Sequence, residues 1–244
     1  MRFPNLHLPP GTESFTSVTG RFESRHEAGT ALASHRHALP YVAIVIDGAY
    51  FESSADGVYW CEPGSLIVHP PLHLHTNRFG ERRVRVLNLT LPPSAFRSPP
   101  SHFAVARLPL RLCTMLLHSP HLPEVGELLS ECEPVVAESR ATITESAAAI
   151  LRSNPLAKVG AIARLLGVSR EHLSREFSAY YGMSLSQFRG ERRLRNALNL
   201  LASDPRSLTR IALDAGFADH AHMARSVSAA VGRPPSAIRR WLLS

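Results

Sequence analysis

Two sets of residues in this sequence have types and spacings that could do chemistry. His35 and His37 lie two positions apart, as do His73 and His75, and on a β-strand each such pair projects to one face. Imidazole is a good ligand for borderline metals, so three convergent rings, His35, His37 and His75, can hold Zn2+ or another divalent metal with one coordination position left open. The alternative is that these rings line a small-molecule pocket or satisfy one another at the mouth of a barrel. His69 and Cys61 lie in the same stretch and are further candidate contributors, without a defining spacing.

The second set is cationic and repeated. Ile162-Ala163, Gly167, Ser169, Leu173, Arg175 and Phe177 form one copy, and Ile211-Ala212, Gly216-Phe217, Asp219, Met223, Arg225 and Val227 form the other. Counted from the polar residue after the glycine, the spacings agree and the copies are 50 residues apart. Each reads as helix, tight turn, capped helix: glycine permits the turn, and Ser169 or Asp219 accepts a bond from a free amide of the following helix. A recognition helix enters the major groove by its N-terminal turns. That leaves Arg170, Glu171, Ser174 and Arg175 to face DNA in the first copy, and His220, Ala221, His222 and Arg225 in the second. Arginine can pair bidentately with guanine, and glutamate can accept from cytosine. Glu171 either reads a base, repels a phosphate or pairs with Arg175 at i,i+4. His220 and His222 are about 200° apart on a helix, which disfavours a shared metal.

These residues need elements to position them. Tyr41 to Ile46 is a β-rich run that stops at Asp47-Gly48, a hairpin signal, and Ala49 to Ser53 continues beyond it. Ser65 to His69 and Arg83 to Leu91 are further strands, and short strands at this spacing suggest a barrel or jelly roll. Pro92 to Pro109 reads as a loop and Leu110 to His118 as a short helix. From Pro123, Val125, Leu128, Leu129, Cys132 and Val136 recur at helical steps, with Pro134 expected to bend or divide the helix. That stripe serves either a subunit interface or the domain's own sheet. Thr142 to Ser153 and Leu156 to Leu166 are helices. Leu185 to Leu201 is one long helix whose Arg189, Arg192, Arg193 and Arg195 are phosphate contacts or a solvated face, opposite buried Leu194, Leu198 and Leu201.

Charge divides the chain the same way. Residues 1–140 hold 12 Arg against 13 Asp and Glu, a net of −1, and residues 141–244 hold 15 Lys and Arg against 7 acids, a net of +8. A basic half beside a neutral one suggests double-stranded DNA as partner. Three cysteines, Cys61, Cys113 and Cys132, give no disulfide framework or CxxC metal site. No stretch has the apolar length of a signal peptide or membrane span, so a cytoplasmic protein with no membrane partner is expected.

Gly29, His35, His37, Tyr41 and Gly48 have the spacing of the first cupin motif, and Pro63-Gly64, Pro70-Pro71 and His75 resemble the second. The resemblance implies one metal held by His35, His37, His75 and the residue at Tyr41, where metal-binding cupins carry glutamate. Gly182-Met183-Ser184, Arg193-Leu194 with Ala197, Ile211-Ala212 with Gly216-Phe217 and Asp219, Arg225, and Gly232 with Pro234-Pro235-Ser236 resemble the C-terminal signature of the AraC/XylS family of bacterial transcription regulators. Where that signature usually has aromatic residues this chain has Met223 and Val227, and Ala221 replaces a small hydroxyl residue. The expected fold is α+β in two domains: a cupin-like sensor over 1–109, a helical connector and dimerisation helix over 110–140, and an all-α double helix-turn-helix over 141–244. The resemblance implies an activator or dual regulator that contacts RNA polymerase; a homodimer is expected because DNA readers commonly pair half-sites through protein symmetry, and the reading is of a non-enzymatic protein whose N-terminal domain answers a small-molecule or metal effector. A metal-dependent cupin enzyme fused to a DNA-binding module is the alternative, and Tyr41 in the carboxylate position tells against it.

Overall fold

A computed structural model describes residues 12–13, 20–91, 103–109, 111–112, 115, 130–135 and 142–243. The chain forms two compact units, one built on Glu13–Glu138 and one on Ser139–Ser244.

The first unit is two antiparallel sheets. One, in the order β1-β3-β8-β5-β6, consists of Thr12–Glu13, Ala31–His37, Leu74–Phe79, Tyr50–Ser54 and Gly57–Cys61. The other, β11-β10-β7-β4-β9-β2, consists of Glu133–Pro134, Ala104–Arg107, Ser65–His69, Tyr41–Asp47, Val84–Thr90 and Arg21–His26. Side chains alternate across a strand, and β4 buries both of its faces. Tyr41, Ala43 and Val45 pack inward with Tyr50, Cys61, Ile67, Phe79 and Val86 of both sheets. Val42 and Ile44 pack outward with Leu66, Val68, Leu87 and Leu89, against which Leu112 and Cys132 lie.

Three expectations are corrected here. Asp47-Gly48 is not a hairpin, because β4 pairs with β7 and β9 while β5 pairs with β6 and β8, so the chain changes sheets at this corner. Gly48 (φ 72°) is required because a side chain there would overlap the Arg83 carbonyl. The segment read as a loop before Pro109 contains β10, paired along β7. The helical stripe, expected to bend or divide at Pro134, instead gives way there to a strand, β11, whose Pro134 sits opposite Ala106 on an edge, where a missing N–H costs no ladder bond. Cys132 from that stripe packs on the unit's own sheet; Val125, Leu128, Leu129 and Val136 lie outside the described residues.

The second unit is helical: α1 Ile143–Ser153, α2 Val159–Leu165, α3 Arg170–Tyr181, α4 Leu185–Ser203, α5 Leu208–Asp214, α6 His220–Val231 and α7 Pro235–Leu243. Caps at Thr142, Ser169, Ser184, Ser207 and Asp219 set the starts of α1, α3, α4, α5 and α6. Gly182 and Gly232, both left-handed, end α3 and α6. Among the described residues no helix is long and apolar enough to cross a membrane.

Candidate nucleic-acid interface and histidine pocket

The two helix-turn-helix units are built alike. In the first, α2 ends at Leu166 and Gly167 (φ 69°) makes the turn. Ser169 Oγ then accepts from the His172 amide at 3.1 Å, opening the 12-residue α3. In the second, α5 ends at Ala215 and Gly216 (φ 87°) turns the chain. Asp219 Oδ1 accepts from the His222 amide at 2.6 Å, opening α6, also of 12 residues. The second turn is one residue longer, with the exposed Ala218 before the cap, and Phe217, at the place of Val168 in the first turn, is buried.

Ile162, Ala163, Leu173 and Phe177 are buried in the first unit and Ile211, Ala212, Met223 and Val227 in the second, so apolar contact clamps each helix pair. The first also leans on an aromatic cluster: Phe177 stacks on Tyr181 with centroids 4.6 Å apart, and Phe188 meets Phe177 edge-on. Tyr181 donates to Glu145 Oε1 at 2.7 Å and accepts from Arg152 at 3.0 Å, tying α3 to α1.

Arg170, Glu171, Ser174 and Arg175 lie exposed along the N-terminal turns of α3. The Arg175 guanidinium reaches His172 Nδ1 at 3.0 Å and Glu176 at 3.5 Å, and its ion pair goes to Glu176 rather than Glu171. On α6, His220, Ala221 and Arg225 are exposed, while His222 turns its ring edge-on to Phe217 at 5.2 Å and is half-buried. The structure separates the arginines of α4 that the sequence grouped. Arg195 is buried, and Arg189 donates to the Pro155 carbonyl at 2.9 Å, so neither belongs to a solvated face. Arg193 is half-buried against the second turn: its guanidinium lies 5.8 Å from the Phe217 ring centre, and its Nε has no hydrogen-bond partner. Burial and the neighbouring Arg189 charge both lower its pKa.

In the β unit a cavity of about 230 Å3 opens between the sheets, lined by His35, His37, Tyr41, Glu52, His69 and His75 among others. Register explains the convergence. His35 on β3 stands opposite His75 on β8. Glu52 on β5 stands opposite Asn77, two residues further along β8. On the facing sheet Tyr41 of β4 stands opposite His69 of β7, their rings stacked 4.3 Å apart and 3° from parallel. His35, His37 and His75 each offer one donor atom, and these atoms lie within 4.8 Å of one another. Tyr41, at the position where the cupin resemblance implies a carboxylate, instead places its hydroxyl 3.1 Å from His75 Nε2. Burial, with the surrounding histidines, pushes the His75 pKa well down, which keeps its ring neutral.

Glu52 is absent from the sequence expectations and His69 enters them without a defining spacing, although period-two counting from buried Tyr50 and Ile67 turns both inward. Glu52 is fully buried, and burial drives its pKa well up against the lowering effect of its bond from Asn77.

Residues 162–240 match a protein-family model described as a helix-turn-helix domain. Over 80 residues the chain is 38% identical to the HTH-type transcriptional regulator GlxA of Rhizobium meliloti, a match covering 33% of this chain and 25% of that protein. The chain thus spans about a quarter of the length of that curated relative. Among solved structures, ToxT from Vibrio cholerae aligns over 93% of this chain and 100% of its own at 11% identity and a TM-score of 0.44. An AraC-type DNA-binding domain-containing regulator from Chromobacterium violaceum aligns over 41% of this chain and 91% of its own at 27% identity and a TM-score of 0.39. Residues 162–240 are therefore a helix-turn-helix domain.

Proposed function

We propose that this chain is a sequence-specific transcription regulator of the AraC/XylS type. Its paired units bind double-stranded DNA, and its β unit senses an effector, a small molecule or a metal, in the histidine-lined cavity. The observation that carries the first part is the repeat itself. Two capped 12-residue helices present Arg170, Glu171, Ser174 and Arg175, and His220, Ala221 and Arg225, at their opening turns, in the half of the chain with a net charge of +8. The 19-residue α4 between the units is about 28 Å long at 1.5 Å per residue, which suits readers placed one DNA turn apart. Arg175 carries the main base reading, Arg225 a companion reading, and Arg193 a phosphate contact. The family resemblance extends the reading to an activator or dual regulator that contacts RNA polymerase; the symmetry of paired DNA half-sites adds a homodimer, and the reading is of a cytoplasmic protein that is not an enzyme.

Selection of genomic DNA by the full chain, with and without candidate effectors, tests reading and sensing together. On the selected site, Arg175→Ala weakens specific binding by about 1–3 kcal/mol while hardly changing binding to unrelated duplex. Equal losses on both sequences would remove Arg175 as a base reader.

A further inference from the structure

We propose that the β unit binds a divalent transition metal of the zinc class between Glu52, His69, His73 and His75, a donor set distinct from the His35, His37 and His75 trio. The proposal rests on the reading of the β unit as a sensor and narrows its effector. The four side chains come from β5, the end of β7, the turn before β8, and β8, so both sheets contribute. All four are buried, and each offers one donor atom within 4.8 Å of the others.

Glu52 is the residue that demands an explanation. One of its oxygens accepts from Asn77 Nδ2 at 2.6 Å. The other, Oε1, is buried with no hydrogen-bond partner and faces His69 Nε2 at 3.8 Å, beyond bonding distance. Burying an ionisable carboxyl this way is costly unless a cation or a full set of donors meets it. The imidazoles around it are held as metal ligands are held. His73 Nε2 lies 3.1 Å from Asp56, and His75 Nδ1 lies 3.3 Å from the His73 carbonyl. Carboxylate or carbonyl partners of this kind fix the tautomer and orient the other ring nitrogen, which for His75 is Nε2, now 3.1 Å from the Tyr41 hydroxyl that a metal would displace. For His73 that other nitrogen, Nδ1, faces His69 Nδ1 at 3.3 Å. Two ring nitrogens so close can share one proton at most, and a cation between the rings is the other way to satisfy them.

Three imidazoles and one carboxylate suit Zn2+, with Co2+ as a spectroscopic substitute. Bonds of about 2.0–2.1 Å place tetrahedral donors roughly 3.3 Å apart, so the present set must draw in by about 1.5 Å at most. The trio offers three donors against four. His75 belongs to both sets, so an ion in one withdraws it from the other.

Titration of the purified full chain with Zn2+ and Co2+, followed by visible absorption of bound Co2+ and by metal analysis, tests the site. The expected result is one equivalent bound by wild type and by His35→Ala/His37→Ala, with affinities within about threefold, and a loss of at least about 100-fold in Glu52→Gln and in His69→Phe. His69→Phe keeps a ring to stack on Tyr41, and Glu52→Gln keeps an acceptor for Asn77. Circular dichroism and the melting temperature without metal establish that each variant is folded, and a zinc-induced rise in that temperature should appear in wild type and vanish in both. Metal lost from His35→Ala/His37→Ala and retained by Glu52→Gln and His69→Phe would overturn this site while leaving metal sensing by the trio. Wild type that binds no metal overturns the proposal outright; whether the same sample still footprints its selected DNA then decides the regulator reading separately.

Discussion

Arg193 separates two roles that a positive charge on α4 could have. A methyl group added at Gly216 would stand 3.4 Å from Arg193 Cγ and 3.5 Å from Cδ, so the aliphatic stem already lines the second turn. Its guanidinium faces Phe217, keeps an unpartnered Nε and feels the like charge of Arg189. A phosphate oxygen would relieve that arrangement, whereas the free protein gains little from the charge beyond a cation–π contact of about 0.5–1 kcal/mol. Arg193→Met keeps most of the stem and removes the charge. It should lower the stability of α5 and α6 by about 0.5–1 kcal/mol and reduce the slope of log affinity against log salt by about 0.9, the value for one phosphate. Arg193→Ala should give the same slope and destabilise the turn by roughly 1.5 kcal/mol more, for two lost methylenes. Fluorescence anisotropy on an unrelated duplex across a salt series measures the slope, and hydrogen exchange of α5 and α6 amides measures the stability. A slope unchanged in Arg193→Met would refute the phosphate contact and leave Arg193 a brace for the turn.

Tyr181→Phe removes the hydroxyl that links Glu145 and Arg152, whose own contact at 3.5 Å remains. Because those partners retain some access to water, a loss of about 1–2 kcal/mol is expected, read as a roughly 10-fold fall in hydrogen-exchange protection of α3; unchanged protection would show that the aromatic stack alone holds α3 on α1. Glu52 tests the cavity without metal. Its pKa is raised in the folded state above the ordinary 4.5, so the stability it contributes is complete below the ordinary carboxylate range and is lost as pH rises through the folded value. In chelator, wild type should lose stability to urea relative to Glu52→Gln as pH rises from about 5 to about 8, and parallel profiles would contradict a buried, proton-requiring carboxyl.

The helical unit was legible because its signals are local. A glycine that adopts positive φ, a capping side chain two or three residues later and buried positions at helical spacing all lie within one short window, and Gly167, Ser169, Leu173 and Phe177 do in the structure what their spacing implies. The failures arose where the partner is distant in sequence. Nothing near Arg195 announces that its side of α4 is covered. In the β unit, periodicity located strands but not their neighbours. Asp47-Gly48 has hairpin chemistry, yet the close approach of the Arg83 backbone forces a corner between sheets. The Glu52 and His69 pair is likewise a product of which strands face each other, information that β5 and β7 do not hold separately.

The structure also changes the meaning of the asymmetry between the two units. Met223 and Val227 stand where the family signature usually has aromatic residues, which suggests a looser second unit, yet both are fully buried, as is Val231 at the end of α6. The turn differs as well: Phe217 stands where the first turn has Val168, and His222 of α6 and Arg193 of α4 both pack against its ring. The first unit is stiffened from within, by Phe177, Tyr181 and Phe188; the second is stiffened at its turn by a charged residue borrowed from the connecting helix. If Arg193 meets a phosphate, closing on DNA tightens the turn that aims α6, so the second reader depends on binding for part of its order while the first does not.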